Sequence, residues 1–237
     1  MISARALSYV AGKRKILDDL SFEIPKGTFT VVVGENGAGK TTLLKLLMGM
    51  ARPTSGSLTV RGEHPYDDPF AARRKIAYLA ERMNPPVNWS VAEYLAFNRH
   101  FYPDYSTELE GRLLKRFRIK PEMRIGQLSA GQWRRAQVTA ALAFQPDVIL
   151  IDEITAVLDI VGRADFMDVL RELESRSETT ILMATNIIDD IDTYATDVLL
   201  LHEGRLARRS TKAELLALSS GASLTQTLAT MIREAER

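Results

Sequence analysis

Cysteine is absent from the 237 residues. Disulfides, thiolate metal sites and thiol nucleophiles are therefore excluded, and the chain suits a reducing compartment. No run of about 18 apolar residues occurs, so no segment is expected to cross a bilayer as a helix. The opening stretch, MISARALSYVAGKRK, lacks the apolar core of a secretory leader. The chain is expected to stay in the cytoplasm, with any membrane role supplied by a partner. An excess of one charge is missing too. The 31 Lys and Arg stand against 30 Asp and Glu, a balance that gives no reason to expect nucleic acid. Histidine is scarce, and His64, His100 and His202 show no ligand spacing. Internal repeats and low-complexity segments are lacking. With 46% hydrophobic and 26% charged residues, the chain has ordinary globular composition. Its length suits one large domain or a domain with a small subdomain.

What is present alternates. FTVVVG (29–34) is a short β-branched run ending in glycine, and KTTLLKLLMGM (40–50) has helical spacing. RPTSGSLTV (52–60) is a turn feeding a strand, and KIAYLAE (75–81) is another strand candidate. Pro85-Pro86 then breaks the chain, and two amphipathic helices follow in SVAEYLAFNRHFY and TELEGRLLKRFRI. Strand-like runs return at DVILID (147–152), TTILMAT (179–185) and DVLLLHEGRL (197–206). The helix GRADFMDVLRELESRS (162–177) lies between the first two. The tail reads as two short helices around SSGAS. Strands alternating with helices predict a mainly parallel sheet with helices on both faces.

GENGAGKT (34–41) matches the phosphate-binding pattern G-x-x-x-x-G-K-[ST], with a strand before it and a helix after it. Gly34, Gly37 and Gly39 let the backbone N–H groups turn inward toward phosphate oxygens. Lys40 is placed to reach β- and γ-phosphates, and Thr41 to ligate Mg²⁺. A second group, Asp152-Glu153, ends a buried apolar strand, where ligands of open α/β sheets bind. Asp152 can hold the Mg²⁺ shell and Glu153 can orient or deprotonate a water; an acidic helix cap is the structural alternative. LSAGQWRRAQVTAALAF (128–144) is a small-residue turn entering a helix, with Ser129 as N-cap and a second anion-binding helix terminus. One nucleotide does not need two such termini, and a second chain explains the surplus. Asn186 leaves another buried strand as a polar residue that carries no proton at neutral pH.

With these motifs in this order, the chain resembles the ATP-binding cassette of an ABC transporter over nearly its whole length. The resemblance implies a P-loop NTPase fold of α/β class. It has a mainly parallel core sheet, an antiparallel N-terminal β region and a small helical subdomain. The nucleotide-binding core would span 1–85 and 126–210, the helical subdomain 86–125 and a helical tail 211–237. It implies that Tyr9 stacks on adenine and that Gly34, Glu35, Asn36, Gly37, Ala38, Gly39, Lys40, Thr41 and Thr42 hold ATP. Glu81 falls near the glutamine loop and, with Thr41 and Asp152, belongs to the metal shell. Leu158-Asp159 is the D-loop, and Asn186 stands at the switch position. In the family two cassettes pair head to tail, so Ser129, Ala130, Gly131 and Gln132 would cap the ATP of a second copy. The other implied partner is a membrane-spanning permease, gripped through the segment around Trp89. The chain would then lie at the cytoplasmic face of the membrane.

FYPDYS (101–106) and GASLTQTLATMI resemble cassettes of ABC-2-type exporters, and LSAGQWRR resembles haem-exporter cassettes. Four residues depart from the family pattern: Ala130 for glycine, Glu81 for glutamine, Ile154 for proline and Asn186 for histidine. ATP hydrolysis powering an exporter is the implied activity. Asn186 favours a regulatory or structural cassette that binds ATP and hardly hydrolyses it; Glu153 argues against that. A soluble cassette protein acting on ribosomes or DNA is a further alternative, but the chain lacks a second cassette, coiled coils or a basic arm. The basic cluster Arg112, Lys115, Arg116, Arg118 and Lys120 reads as a solvated face or a contact near lipid headgroups.

Overall fold

The computed structural model describes residues 1–80, 84–153, 160–175, 179–185, 195–218 and 224–235. Glu81, Ile154, Leu158, Asp159 and Asn186 lie outside the described residues.

The chain opens with two long strands, β1 (Ile2–Ala11) and β2 (Arg14–Ile24), joined at Gly12 with φ 61°. They pair antiparallel from Ile2↔Ile24 to Ala11↔Arg14. The other edge of β1 takes β4 (Ser55–Val60), closing a three-stranded antiparallel sheet. Along β2, Leu17, Leu20, Phe22 and Ile24 are buried while the residues between them are more exposed, the period-2 pattern of a sheet with one covered face.

The second sheet is built differently. β3 (Phe29–Val33), β6 (Val148–Asp152) and β7 (Thr180–Ala184) are buried at every residue. Their short, continuous apolar runs suit strands covered on both faces. With β5 (Ile76–Leu79), β8 (Asp197–His202) and β9 (Arg205–Thr211) they form a six-stranded sheet in the order β5-β6-β7-β3-β8-β9. The first five strands run parallel, and β9 returns antiparallel to β8. DVLLLHEGRL, read as one run, is two strands. Glu203 (φ 44°) and Gly204 (φ 78°) reverse the chain in its middle.

Alternation along the central strands produces two cores. Val32, Leu150, Leu182 and Leu199 face α1 (Lys40–Leu47) and the three-stranded sheet. Val31, Val33, Ile149, Ile151, Ile181 and Met183 face the opposite way, toward α5 (Ala130–Ala143) and α6 (Ile160–Ser175). The short α2 (Pro69–Arg73) leads into β5.

The helices α3 (Val91–Phe101) and α4 (Thr107–Phe117) lie over the second core. Ser90 and Glu93 form a reciprocal capping box on α3, which satisfies two otherwise orphaned N–H groups. Ser106 caps α4, and Arg118 ends it in the left-handed region at φ 56°. Leu113, Leu114 and Phe117 fasten α4 to the core. The tail forms α7 (Lys212–Leu218) and α8 (Leu224–Ala235), with Leu215 and Leu228 buried against the same core.

Phe117 is 1% exposed and joins α4 to the second core. Truncating a buried phenylalanine typically costs about 3–5 kcal/mol. Phe117→Ala is expected to lower stability by that amount, measured as a reduced urea midpoint.

Candidate nucleotide site

The loop between β3 and α1 is held in shape from both sides. Gly37 and Gly39 adopt φ 88° and 102°, conformations open to glycine and strained for other residues. A Cβ on Gly39 would press on the Leu17 side chain of β2, and one on Gly34 would run into the Leu201 carbonyl of β8. The loop is therefore wedged between the two sheets. Gly204 N–H donates to the Ala38 carbonyl at 3.2 Å, and Asp18 N–H donates to the Gly204 carbonyl at 2.8 Å. The β8–β9 turn thus ties the loop to β2.

Lys40 opens α1 and is 5% exposed. Its ammonium donates to the Gly34 and Glu35 carbonyls at 2.8 and 3.1 Å, and the Glu153 carboxylate lies 3.5 Å away. A buried ammonium needs such partners, because desolvating an unpaired charge is costly. Thr41 donates its hydroxyl to Asp152 Oδ1 at 3.0 Å. Tyr78 donates to Asp152 Oδ2 at 3.1 Å. Glu153 turns out of β6 at φ 48°, with its N–H on the Ala184 carbonyl at 3.0 Å. On the neighbouring strand end, buried Thr185 donates its N–H to the Val32 carbonyl at 3.2 Å.

These groups border a cavity of about 310 Å³, lined by Asn36, Gly37, Gly39, Lys40, Thr41 and Thr42 with Glu153, and walled by Arg14 and Ile16. Glu35 and Ala38 line an adjoining cavity with Asn36 and Gly37. The geometry offers backbone donors, a buried ammonium and a helix N-terminus to an anion. It also sets a hydroxyl and two carboxylates beside them.

The structure thus brings together residues 36, 37 and 39–42 with Asp152 and Glu153. Tyr9 is half-buried on β1 opposite Leu17, packed on the first core, and does not line this cavity. Ser129 to Gln132 lie at the start of α5 and do not line it either. There Ser129 Oγ accepts from Gln132 N–H at 3.2 Å, and Gln132 Oε1 accepts from Ser129 N–H at 2.9 Å. Two donors that the sequence offered to an anion are used by the cap itself. Arg14, Ile16 and Tyr78 were missed by sequence reasoning. The hairpin tip Gly12-Lys13-Arg14-Lys15 was a signal for the first two; Tyr78 sits inside an apolar strand and carried none. Of the basic cluster, Arg116 pairs with Glu172 at 2.6 Å and with Asp168 at 3.6 Å. Trp89 is 36% exposed and stacks edge-on to Phe97, so it is not a core residue.

A parallel sheet whose strand ends carry a phosphate loop and a carboxylate pair defines a P-loop nucleotide-binding protein. The chain belongs to the ABC transporter family, as an ATP-binding cassette: the family model described as ABC transporter matches residues 17–156. It is 31% identical to the energy-coupling factor transporter ATP-binding protein EcfA2 of Symbiobacterium thermophilum, over 93% of this chain and 82% of that protein. It is 32% identical to the daunorubicin resistance ATP-binding protein DrrA3 of Streptomyces coeruleorubidus, over 89% of this chain and 68% of that protein. A solved ATP-binding subunit of an ABC transporter superposes with TM-score 0.89 at 24% identity, over 98% of this chain and 99% of that one. A dimeric cassette bound to ADP and Pi in a post-hydrolysis state superposes with TM-score 0.78 at 23% identity, over 89% and 98%. These two likenesses concern the fold.

Charge-assisted hydrogen bonds contribute about 1.5–3 kcal/mol. Lys40→Ala is expected to weaken ATP binding by roughly tenfold or more; calorimetry on the folded variant checks this.

Proposed function

We propose that this chain is the ATP-hydrolysing subunit of a membrane exporter, working as a head-to-tail pair bound to a permease. One observation carries the reading: Lys40, Thr41, Asp152 and Glu153 converge at the carboxyl edge of the parallel sheet, linked by contacts of 3.0 and 3.5 Å.

Thr41 Oγ1 and Asp152 Oδ1 are hard oxygen donors 3.0 Å apart. Mg²⁺ takes such oxygens as neighbours in an octahedral shell and fills the remainder with phosphates and water, so this pair fits it; Glu81 is assigned to the same shell. Bound there, Mg²⁺ would neutralise charge on the phosphate oxygens. The loop amides and Lys40 hold the β- and γ-phosphates. As the phosphates take over the ammonium, the Glu153 carboxylate is released to orient and deprotonate a water in line with the γ-phosphate. Tyr9 is assigned to adenine. Ser129, Ala130, Gly131 and Gln132 of a second copy would cover the γ-phosphate, since this chain's own cavity does not include them. The likeness to a daunorubicin resistance protein supports export. No helix among the described residues is long and apolar enough to cross a membrane, and the membrane passage is assigned to a permease partner. Trp89, Phe97 and Phe101 offer it an exposed aromatic row on the 86–125 unit.

Asn186 follows directly on Thr185. An asparagine amide donates without charge, and charged hydrogen bonds are roughly twice as strong. Binding should survive while the chemical step slows. That observation also favours the second reading, a cassette that holds ATP with little turnover.

Glu153→Gln keeps the shape and removes the base. It is expected to dimerise with ATP and Mg²⁺ and not with ADP. Light scattering that finds a monomer at saturating ATP would sink the head-to-tail model for the isolated subunit. Asn186→His is expected to raise kcat by about tenfold to a hundredfold, or 1.4–2.8 kcal/mol in the barrier. Equal steady-state phosphate release by both forms would show that the switch position is not limiting.

A further inference from the structure

Tyr78 of β5 and Asp152 of β6 stand on neighbouring parallel strands, with Tyr78 level with Leu150. Side chains alternate across a strand. Ile76 and Leu150 face the first core, and Tyr78 packs on that same core. Asp152, two residues beyond Leu150, therefore shares the face that carries α1 and Thr41. Each of its carboxylate oxygens then meets a different hydroxyl. Thr41 donates to Oδ1 at 3.0 Å, and Tyr78 donates to Oδ2 at 3.1 Å. Asp152 is 3% exposed, so protein donors rather than bulk water fix its orientation.

The reach explains the residue type. A side chain level with Leu150 must cover two residues of strand, roughly 7 Å, to meet this carboxylate. A phenol spans that distance. Serine or threonine at 78 falls short, and phenylalanine has no donor. The end of β5 is itself held, because Arg134 of α5 donates to the Ala80 carbonyl at 2.6 Å. Tyr78 does not line the nucleotide cavity, so it acts on a metal there only through Asp152.

We infer that Tyr78 is a positioning residue that gives the nucleotide site a preference for Mg²⁺ over Ca²⁺. Its hydrogen bond engages Oδ2 and leaves Oδ1, beside the Thr41 hydroxyl, as the oxygen offered to a metal. A carboxylate that offers one oxygen suits Mg²⁺, which demands near-ideal octahedral geometry. Ca²⁺ has a larger and looser shell and takes carboxylates through one oxygen or both. Holding Asp152 in the single-oxygen orientation therefore favours the smaller cation. The bond is charge-assisted, the stronger kind, and losing a partner that orients a metal ligand typically costs tenfold to a hundredfold in metal affinity. The inference rests on the proposed assignment of the metal to Thr41 and Asp152.

The test is calorimetry on this chain and on Tyr78→Phe, which keeps the ring and deletes the donor. The probe is the β,γ-imido analogue of ATP, which resists hydrolysis. It is titrated in Mg²⁺, in Ca²⁺ and in a chelator without metal. The wild type is expected to bind more tightly in Mg²⁺ than in Ca²⁺. Tyr78→Phe should lower that Mg²⁺-to-Ca²⁺ affinity ratio by about threefold to tenfold, part of the range such partners carry. Affinity in chelator should be equal in the two proteins, because the loop amides and Lys40 hold the phosphates in both. Circular dichroism checks that the variant is folded. A merely structural role would weaken binding in Mg²⁺, Ca²⁺ and chelator alike. That result, or an equal Mg²⁺-to-Ca²⁺ ratio in the two proteins, would overturn the inference. The metal assignment fails on a different reading: the wild type itself would bind no better in Mg²⁺ than in chelator, and the inference would fall with it.

Discussion

The buried ammonium of Lys40 is the constraint on which the site depends. It stands at 5% exposure at the head of a helix, where the dipole already favours negative charge. Such a group persists only with close oxygen partners. The Gly34 and Glu35 carbonyls and the Glu153 carboxylate supply them. Each partner depends on something further away. The loop that carries these carbonyls turns at Gly37 and Gly39 in conformations strained for other residues, and it is pressed between Leu17 and Leu201. Glu153 reaches Lys40 because its backbone leaves β6 in the left-handed region, a strained conformation that tends to be kept at functional positions.

That arrangement requires two sheets. One parallel sheet would bring the strand ends together and leave the loop's outer side without support. The antiparallel sheet provides β2 as that support, and the β8–β9 turn ties the two together through Gly204. The two cores follow from strands buried on both faces, one side chain up and the next down. Helices α3, α4, α5 and α6 then build on the far core, away from the phosphate loop. Ser129 to Gln132 face outward at the head of α5 for this reason. The same packing leaves Phe97 and Phe101 exposed on the helical side.

Much of this was legible in the sequence, for a physical reason. A phosphate loop is a contiguous backbone device, so its glycines, lysine and threonine stand at fixed spacing. Continuous apolar runs announce strands covered on both faces, and Asp152-Glu153 closes one of them. Ser129 reads as an N-cap at the head of a helix, and it caps α5. The family resemblance rests on the order of such local devices. One reversal was overlooked: Glu203-Gly204 divides a run that reads as one strand into two.

The contacts that make a site of these devices are not local, and tertiary structure alone decided them. Thr41 and Asp152 lie 111 residues apart, and Tyr78 and Asp152 lie 74 apart. Their meeting depends on the order β5-β6-β7-β3, which no spacing in the chain records. Arg14 and Ile16 became a wall of the nucleotide cavity because one sheet folds against another. Gln137 reads in sequence as an ordinary polar residue of a helix. Only packing, which buries it beside alanines, leaves its amide without a hydrogen-bond partner among the described residues. The sequence by itself determined which segments turn, extend or coil and which carry phosphate chemistry, because those properties reside in neighbouring residues. Which of those segments touch was left to the burial of apolar faces, a property of the whole chain.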